Sequence, residues 1–366
     1  MKRLIKYAAL IFALVLAASI IGGCLTLGVS LVQGLYEEFS YPEDMEGKDN
    51  SLWYQDEDGD IVFLGMHFVD NGEVKSGSET YVGSDIDSIY LEGTSGEVFL
   101  EAWENDFISV EYENIPEDYE IYNDNGTLTI ELDGGVFFFG VSFTETPKIR
   151  VSVPANQTFE HVEVEKGSGS AKIIGLTADV LEVDNGSGGL GISNVSVEEI
   201  QVDSGSGGVN ISNITSLKSV FNSGSGSFVV QDSNAGDTSM DTGSGFVNFE
   251  NIIAENFVLD TGSGRVDVSG VLTGNCVFES GSGSLNVVIY GEEKDYNIRT
   301  DMGSGSFFLN GEKEKDTHIE HDSAKHLLVF DAGSGRVSVK FEKEQGDGMQ
   351  TFTGNEAQES GENYDR

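Results

Sequence analysis

Acidic side chains recur two residues before nearly every copy of a Gly-Ser-Gly triad in this chain. Eight of the nine positions hold a carboxylate, and the ninth holds Asn222. The eight acids are Glu165, Asp184, Asp203, Asp241, Asp260, Glu279, Asp301 and Asp331. Carboxylate oxygens are the ligands that Ca²⁺ and Mg²⁺ prefer, so a row of them is a candidate cation site. The other interpretation is that each carboxylate accepts hydrogen bonds from the backbone N–H groups of its own glycine turn.

Repulsion between the acids keeps the cation interpretation open. If equivalent residues stack about 5 Å apart, each neighbouring pair of carboxylates repels by roughly 0.8 kcal/mol even in water. A row of bound Ca²⁺ or Mg²⁺ would offset that repulsion. We predict no other cofactor.

Other combinations of chemistry-bearing residues are weak. His318, Glu320, His321 and His326 lie close together in the sequence, but two histidines three residues apart in a polar loop seldom bind zinc. No triad is followed by the Gly-Lys-Ser/Thr of a phosphate loop, and none lies in a Gly-x-Ser-x-Gly motif. A carbohydrate-active β-helix enzyme needs paired carboxylates at one place, whereas these acids form a uniform row. We therefore predict no catalytic residues.

An internal repeat positions the acids. The triads begin at Gly167, Gly186, Gly205, Gly224, Gly243, Gly262, Gly281, Gly303 and Gly333. The first seven are spaced 19 residues apart, and gaps of 22 and 30 residues follow. A fixed period of this size is typical of a solenoid, in which each repeat stacks on the next.

The pattern inside each repeat indicates strands. Apolar residues two apart, such as Leu190 and Ile192, predict a strand with one buried face. The eighth residue after the first triad glycine is Gly, Asn or Asp, as at Asn194, so we expect a left-handed corner there. The triad forms another corner. We predict an all-β fold, a single right-handed β-helix with coils of 19 residues, preceded by one N-terminal transmembrane helix.

Composition excludes some partners. Acidic residues outnumber basic ones by 63 to 20, which gives a net charge of −43. Such a chain has no basic face for nucleic acid, and anionic lipid head groups repel it. The two cysteines, Cys24 and Cys276, are not expected to form a disulfide, and Cys276 occupies an inward position of its repeat.

The N-terminal residues 1–36 predict a membrane anchor. Lys2, Arg3 and Lys6 precede 30 uncharged residues, 7–36, which exceed the ~20 that a transmembrane helix needs. Positive charge before this segment places the acidic remainder outside the cytoplasm. The alternative is a lipoprotein signal that ends at Cys24, because Ile21-Gly22-Gly23-Cys24 is similar to a lipobox.

The remaining segments frame the repeats. We expect an acidic tether with one or two weak strands at 37–80, degenerate coils at 81–165, regular coils at 166–342 and a disordered polar tail at 343–366. Asp56 to Asp60 is similar to a calcium loop, but His67 stands where an EF-hand has glutamate. Glu92 to Gly96 is a degenerate triad, and Asn125-Gly126 predicts a hairpin. The aromatic segment 136–143 is either a cap on the solenoid core or a patch for a partner.

The combination resembles the bacterial "putative adhesin" β-strand-repeat family, a domain of unknown function common in Gram-positive membrane-anchored proteins. The resemblance rests on the N-terminal anchor, the strand-like segments 108–112 and 148–154, and the Gly-Ser-Gly repeat, and it covers residues 80–342. It implies a non-catalytic extracytoplasmic β-solenoid that acts in adhesion or envelope-stress sensing. The gaps of 22 and 30 residues depart from its regularity.

We therefore expect a non-catalytic, membrane-anchored extracytoplasmic β-solenoid whose partner is a cell-envelope or surface ligand. The alternatives are a structural spacer stabilised by divalent cations and a carbohydrate-active β-helix enzyme.

Overall fold

The computed structural model describes residues 53–55, 61–63, 66–68, 74–93, 96–132, 146–314 and 317–343. The predicted anchor 1–36, the Asp56–Asp60 loop and the aromatic segment 136–143 therefore lie outside the described residues, as does all of the predicted tail except its first residue. The chain divides into two compact units: unit 1 comprises residues 1–78, 111–120 and 131–148, and unit 2 comprises residues 79–110, 121–130 and 149–366.

The described residues form β-strands and two short 3-10 turns at Gly83–Asp85 and Glu293–Asp295. The strands are β1 (Trp53–Gln55), β2 (Ile61–Phe63), β3 (Met66–Phe68), β4 (Val74–Val82), β5 (Ser88–Gly93), β6 (Glu97–Trp103), β7 (Phe107–Pro116), β8 (Tyr119–Asp124), β9 (Thr127–Leu132), β10 (Lys148–Pro154), β11 (Phe159–Lys166), β12 (Ser170–Ile174), β13 (Thr177–Asn185), β14 (Gly189–Ser204), β15 (Gly208–Thr215), β16 (Lys218–Thr273), β17 (Asn275–Ser280), β18 (Ser284–Tyr290), β19 (Tyr296–Met302), β20 (Ser306–Leu309), β21 (Glu312–Glu314), β22 (His318–Ile319), β23 (His326–Ala332) and β24 (Arg336–Glu342).

Unit 1 contains a small antiparallel sheet of β1, β2 and β3. Trp53 pairs with Phe63, and Ile61 pairs with Phe68. The sequence predicts one or two weak strands in the acidic segment 37–80, whereas the described residues of that segment form β1, β2, β3 and most of β4.

Unit 2 is a β-solenoid in which equivalent residues of successive coils pair in parallel. β13 pairs with β14 so that Leu181 lies opposite Ile200 and Val183 lies opposite Val202. β12 pairs with β14, and β14 with β15, at the same 19-residue spacing. The 19-residue repeat therefore corresponds to one coil, and the all-β solenoid is confirmed, while its hand stays a prediction.

The core is a column of aromatic and aliphatic side chains that follows from the inward positions of the repeat. Phe257 and Phe278 stack with ring centroids 5.6 Å apart, and Phe278 stacks on Phe330 at 4.9 Å. These rings are fully buried, as are Leu190 and Ile192, at 2% and 1% exposure. Cys276 is also buried, and burial raises the pKa of its thiol to about 11, so it is a core residue as predicted.

The predicted left-handed corners are present. Asn194, Asn213, Asp232 and Asn251 have φ between 49° and 56°. Their side chains stack along the solenoid, and Asn251 Nδ2 donates to Asp232 Oδ1 at 2.6 Å. Asparagine and aspartate tolerate this conformation better than other residues with a Cβ, which explains their recurrence.

The Gly-Ser-Gly corners need glycine for a different reason, which is the close approach of neighbouring coils. A Cβ built on Gly188 would lie 2.0 Å from the carbonyl oxygen of Gly169 in the preceding coil. On Gly186 it would lie 2.4 Å from the Gly167 oxygen. The triads stack directly on one another, and any side chain would separate them.

The C-terminal end does not stack in chain order. β23 pairs with β17 on one side and with β19 on the other, and β24 likewise lies between β18 and β20. The last triad, at Gly333, therefore sits between the triads at Gly281 and Gly303. The 22- and 30-residue gaps accommodate this excursion, and the longer gap holds the edge strands β21 and β22, which pair antiparallel with β20 and β19.

The N-terminal end has the corresponding arrangement. β5 pairs in parallel with β11 on one side and with β9 on the other, although β9 follows β5 in the chain. Gly96 of the degenerate triad stacks on the first regular corner, because a Cβ on Gly169 would lie 2.1 Å from the Gly96 oxygen. Thr94 and Ser95 lie outside the described residues.

Candidate functional site

The predicted row of acids is continuous along one face of unit 2. Glu165 pairs with Asp184, and Asp184 pairs with Asp203. We call this row the acidic ladder; it consists, in spatial order, of Glu92, Glu165, Asp184, Asp203, Asn222, Asp241, Asp260, Glu279, Asp331 and Asp301. Every ladder acid except Asp301 follows a buried residue of its strand, such as Val183 before Asp184, and therefore points outward. Asp301 follows the half-buried Thr300 and is itself exposed.

In the described part of the chain, the eight predicted ladder acids accept no hydrogen bond from the N–H groups of their own glycine turns. Among the described residues, the hydrogen bonds to the eight predicted acids come from the side-chain amides of Asn222 and Gln201, both to Asp203. None comes from the N–H groups of a Gly-Ser-Gly corner, so the capping interpretation is wrong for these residues.

Two corners are instead bonded from inside, by the residue directly before the triad. Asn185 Nδ2 donates to the Gly188 carbonyl at 3.1 Å, and Lys166 Nζ donates to the Ser168 carbonyl. Equivalent buried polar residues follow in later coils, namely Ser204, Ser223, Thr242, Thr261 and Ser280. The signal for this inner column was present in the sequence as polar residues at one fixed offset.

Desolvation and neighbouring charges raise carboxyl pKa values at the N-terminal end of the ladder. The pKa of Asp184 is raised, first because the carboxyl is partly desolvated and then because of the charge on Asp203. The pKa of neighbouring Glu163 is raised by desolvation, then by Glu165 and Glu182. No ladder acid among the eight predicted ones forms an ion pair with a described residue.

The column beside the ladder changes character along the solenoid. At the N-terminal end it holds Glu163 and Glu182, which stack on each other. Towards the C-terminal end it holds Val258 and Val277, and Val258 is 45% exposed. The face therefore offers carboxylates alone at one end and carboxylates beside exposed valines at the other.

The histidines from β22 to β23, which the sequence marks as a weak zinc candidate, do not converge on one point. His318 Nε2 lies 2.8 Å from Glu320 Oε1, while His321 Nε2 lies 3.9 Å from Glu293 Oε1. His326 Nδ1 accepts from the Gly274 N–H at 3.0 Å. Within those residues, no group of three or more His, Cys, Asp or Glu side chains is arranged to hold a metal ion.

A second outward face carries almost no net charge, and sequence reasoning missed it. We call it the neutral face; it is formed by the third, fifth and seventh residues after the first triad glycine in the six coils from Gly167 to Gly262. Its members are Ser170, Lys172, Ile174, Gly189, Gly191, Ser193, Gly208, Asn210, Ser212, Ser227, Val229, Gln231, Phe246, Asn248, Glu250, Arg265, Asp267 and Ser269. Its charges are two basic and two acidic side chains. Beyond its N-terminal edge, Arg150 stacks on Phe99 with its Cζ 4.5 Å from the ring centroid.

Two stretches of the chain, residues 86–235 and 218–364, match the model of the Toastrack DUF4097 family. The chain belongs to the Toastrack DUF4097 family. This membership confirms the resemblance read from the Gly-Ser-Gly repeat and its flanking strands.

Several solved structures are similar to this Toastrack protein. A "putative lipid binding protein" of Parabacteroides distasonis is 15% identical over 73% of this chain and 98% of that chain, with a TM-score of 0.42. A "putative adhesin" of the same species is 13% identical over 74% and 98%, with a TM-score of 0.42. A "putative cell adhesion protein" of Clostridium sporogenes is 13% identical over 73% and 100%, with a TM-score of 0.22. No curated protein matches the chain.

Proposed function

We propose that this Toastrack protein is a non-catalytic binding solenoid, anchored at the outer side of a cell membrane, that acts in adhesion or envelope sensing through its acidic ladder. The observation that carries the proposal is the ladder itself. Stacked carboxylates such as Asp241 and Asp260 point outward, unpaired with any described cation, along a rigid stack of coils. A repeating row of anionic groups suits an extended cationic ligand, because each coil adds an equivalent contact.

The same geometry favours binding over catalysis. An active site concentrates unlike groups at one place and shifts their pKa values apart. The ladder repeats a carboxylate at every coil except that of Asn222, so none of the acids is distinguished as a reacting centre. The carbohydrate-active enzyme is therefore the weakest of the alternatives.

Membrane anchoring is supported by the charge pattern of residues 1–36. Among the described residues, no helix is long and apolar enough to cross a bilayer. Protease added to intact cells should digest the solenoid, while alkaline carbonate should fail to extract the full chain from membranes. A chain that resists the protease until the cells are lysed would refute the extracytoplasmic placement. If the Cys24→Ser variant loses its membrane anchoring while the native chain keeps it, the anchor is a lipid on Cys24.

Binding through the ladder can be tested with an oligolysine peptide as the probe on cells that display the full chain. A variant with Asp184, Asp203, Asp241 and Asp260 changed to Asn should lose most of the binding. The matched control changes four exposed acids away from the ladder to their amides, namely Glu160, Asp179, Glu198 and Glu255. Equal loss in both variants would show that net charge alone attracts the peptide, which would overturn the ladder as the ligand face.

A second candidate is a spacer stabilised by divalent cations, favoured by the effect of Asp203 on Asp184. Facing carboxylates offer the oxygen ligands that Ca²⁺ takes, with water completing its shell. Thermal unfolding of the full chain should then shift upward in millimolar Ca²⁺ and downward in chelator, and the four-Asn ladder variant should lose both shifts. An unchanged midpoint would exclude the cation role.

A further inference from the structure

The neutral face is the surface through which two copies of this chain could meet without apposing rows of carboxylates. The chain carries a net charge of −43, whereas the neutral face balances two basic against two acidic side chains. We propose that two copies pack their neutral faces together about a two-fold axis. In this dimer Phe246 of each copy lies against Gly189 of the other, and Lys172 of each pairs with Asp267 of the other.

The positions of these four residues are self-complementary. Gly189 and Phe246 both occupy the third place of their coils, three coils apart. Lys172 and Asp267 both occupy the fifth place, five coils apart. Both pairs share one midpoint, between the coils that begin at Gly205 and Gly224. A two-fold axis along the strand direction at that midpoint reverses the coil order and keeps the place within the coil, so both contacts form together, each twice.

The shapes at the proposed contact between Phe246 and Gly189 are complementary. Phe246 is 37% exposed on a face where most neighbours are small. A Cβ built on Gly189 would meet no atom within 4 Å, and the residue is not in the left-handed region. Nothing within the described chain therefore requires glycine there, and glycine weakens a strand. An absent side chain at this point leaves room for the aromatic ring of a second copy.

The charges at the proposed contact between Lys172 and Asp267 are opposite. The contact that the structure shows for the Lys172 ammonium is the Phe99 ring, 5.7 Å from its centroid. Asp267 accepts hydrogen bonds from Arg265 Nε and from Asn286 Nδ2, each at 2.7 Å, and keeps 24% of its side chain exposed. A lysine from the second copy would be a third partner of this carboxylate at the edge of the interface.

The area is adequate for a weak dimer. Six coils at ~4.8 Å with five strand residues at ~3.3 Å cover about 480 Å² on each copy. Twice that value, about 950 Å², lies below the ~1,200 Å² at which stable interfaces begin and in the range of weak, transient ones. We expect a reversible, concentration-dependent dimer that tightens as salt screens the repulsion between the two acidic chains.

Cross-linking tests the proposed pairing directly. In one chain, positions 189 and 246 are about 14 Å apart, three coil spacings, which is too far for a disulfide. The full-length double variant Gly189→Cys/Phe246→Cys should therefore give a covalent dimer in mildly oxidised membranes. The matched control is Asp184→Cys/Asp241→Cys, with the same three-coil separation on the acidic ladder, and it should stay monomeric. The native chain controls for Cys24 and Cys276.

Charge exchange gives an independent measurement on the detergent-solubilised full chain by sedimentation. Lys172→Asp should weaken dimerisation about tenfold, since it apposes like charges twice. Lys172→Asp/Asp267→Lys should restore it, and far-UV circular dichroism should show all variants folded. A monomer at every concentration, or equal cross-linking of the ladder control, would overturn the proposal. A cross-link from position 246 to a different protein would also overturn it and would indicate a heterologous partner.

Discussion

Lys166 is a buried cation whose removal should stabilise the protein at neutral pH. It is 3% exposed, and desolvation lowers the pKa of its ammonium from 10.5 to about 8. Its hydrogen bond to the Ser168 carbonyl is its one contact with an oxygen among the described residues. The equivalent positions in later coils hold small neutral residues such as Ser204 and Thr242. A neutral side chain at position 166 should therefore fit the inner column.

The sign and size of the effect follow from the pKa. Because the folded-state pKa is lowered, the folded protein releases the Lys166 proton near pH 8 and the unfolded protein only near pH 10.5. The unfolded state binds more protons between these values, so stability gained from this residue rises with pH across that window. A full shift of this size corresponds to about 3.4 kcal/mol. The ammonium keeps a carbonyl partner and lies near the surface at a corner. We therefore expect the buried charge of Lys166 to lower the free energy of unfolding at pH 7 by about 2 kcal/mol.

The assay is urea unfolding of the full chain and of Lys166→Met from pH 7 to pH 10.5. The variant should be more stable by about 2 kcal/mol at pH 7, and the difference should vanish towards pH 10.5. The matched control is Lys218→Met, because Lys218 is exposed and pairs with Glu199 at 2.7 Å. That control should lose at most about 1 kcal/mol at pH 7. A Lys166→Met variant that is less stable at pH 7, or whose difference does not change with pH, would refute the reasoning.

Three further predictions concern packing. Gly188→Ala should destabilise the solenoid by several kcal/mol in chemical unfolding, because its Cβ would lie 2.0 Å from the Gly169 oxygen. Its control, Gly189→Ala, should be neutral or stabilising by about 0.5–1 kcal/mol. Equal effects of the two substitutions would contradict the stacking argument. Phe278→Ala should cost about 3–5 kcal/mol, measured the same way, since the ring stacks on both sides; a loss below about 1 kcal/mol would show that the column relaxes. Deleting residues 326–343 should remove amide-exchange protection from β19 and β20 as well, because β23 and β24 are their parallel partners; retained protection there would refute the order of coils.

The parts of the fold that sequence could predict are those that repeat. Asn194 and Asn213 could be assigned to left-handed corners because the same offset holds such residues in coil after coil. Asp184 and Asp203 could be placed side by side because a strict 19-residue spacing puts equal offsets in register. Each of these inferences rests on many equivalent positions, so a single exception such as Asn222 does not disturb it.

The parts that sequence could not predict occur once or depend on direction. The gaps before Gly303 and Gly333 show where regularity ends, but not that the final coil returns to lie between two earlier ones. The capping of the corners was assigned to the wrong residue because Asp184 and Asn185 are both polar and both precede a triad. Only the alternation of the strand decides that Asp184 points outward and Asn185 points into the corner.

The same alternation explains how a chain with a net charge of −43 has one strongly acidic face and one nearly uncharged face. In a solenoid, one offset of the repeat becomes one column, so a preference for acid at a single offset produces an acidic face along the whole stack. The offsets that form the neutral face lie on the opposite side of the triad, where Gly189 and Gly208 replace charged residues. The proposed ligand binding by the ladder and the proposed pairing through the neutral face therefore use different columns of the same coils. Two copies joined by their neutral faces would each keep an open ladder, and two ladders on one particle bind a repeating ligand more tightly than one.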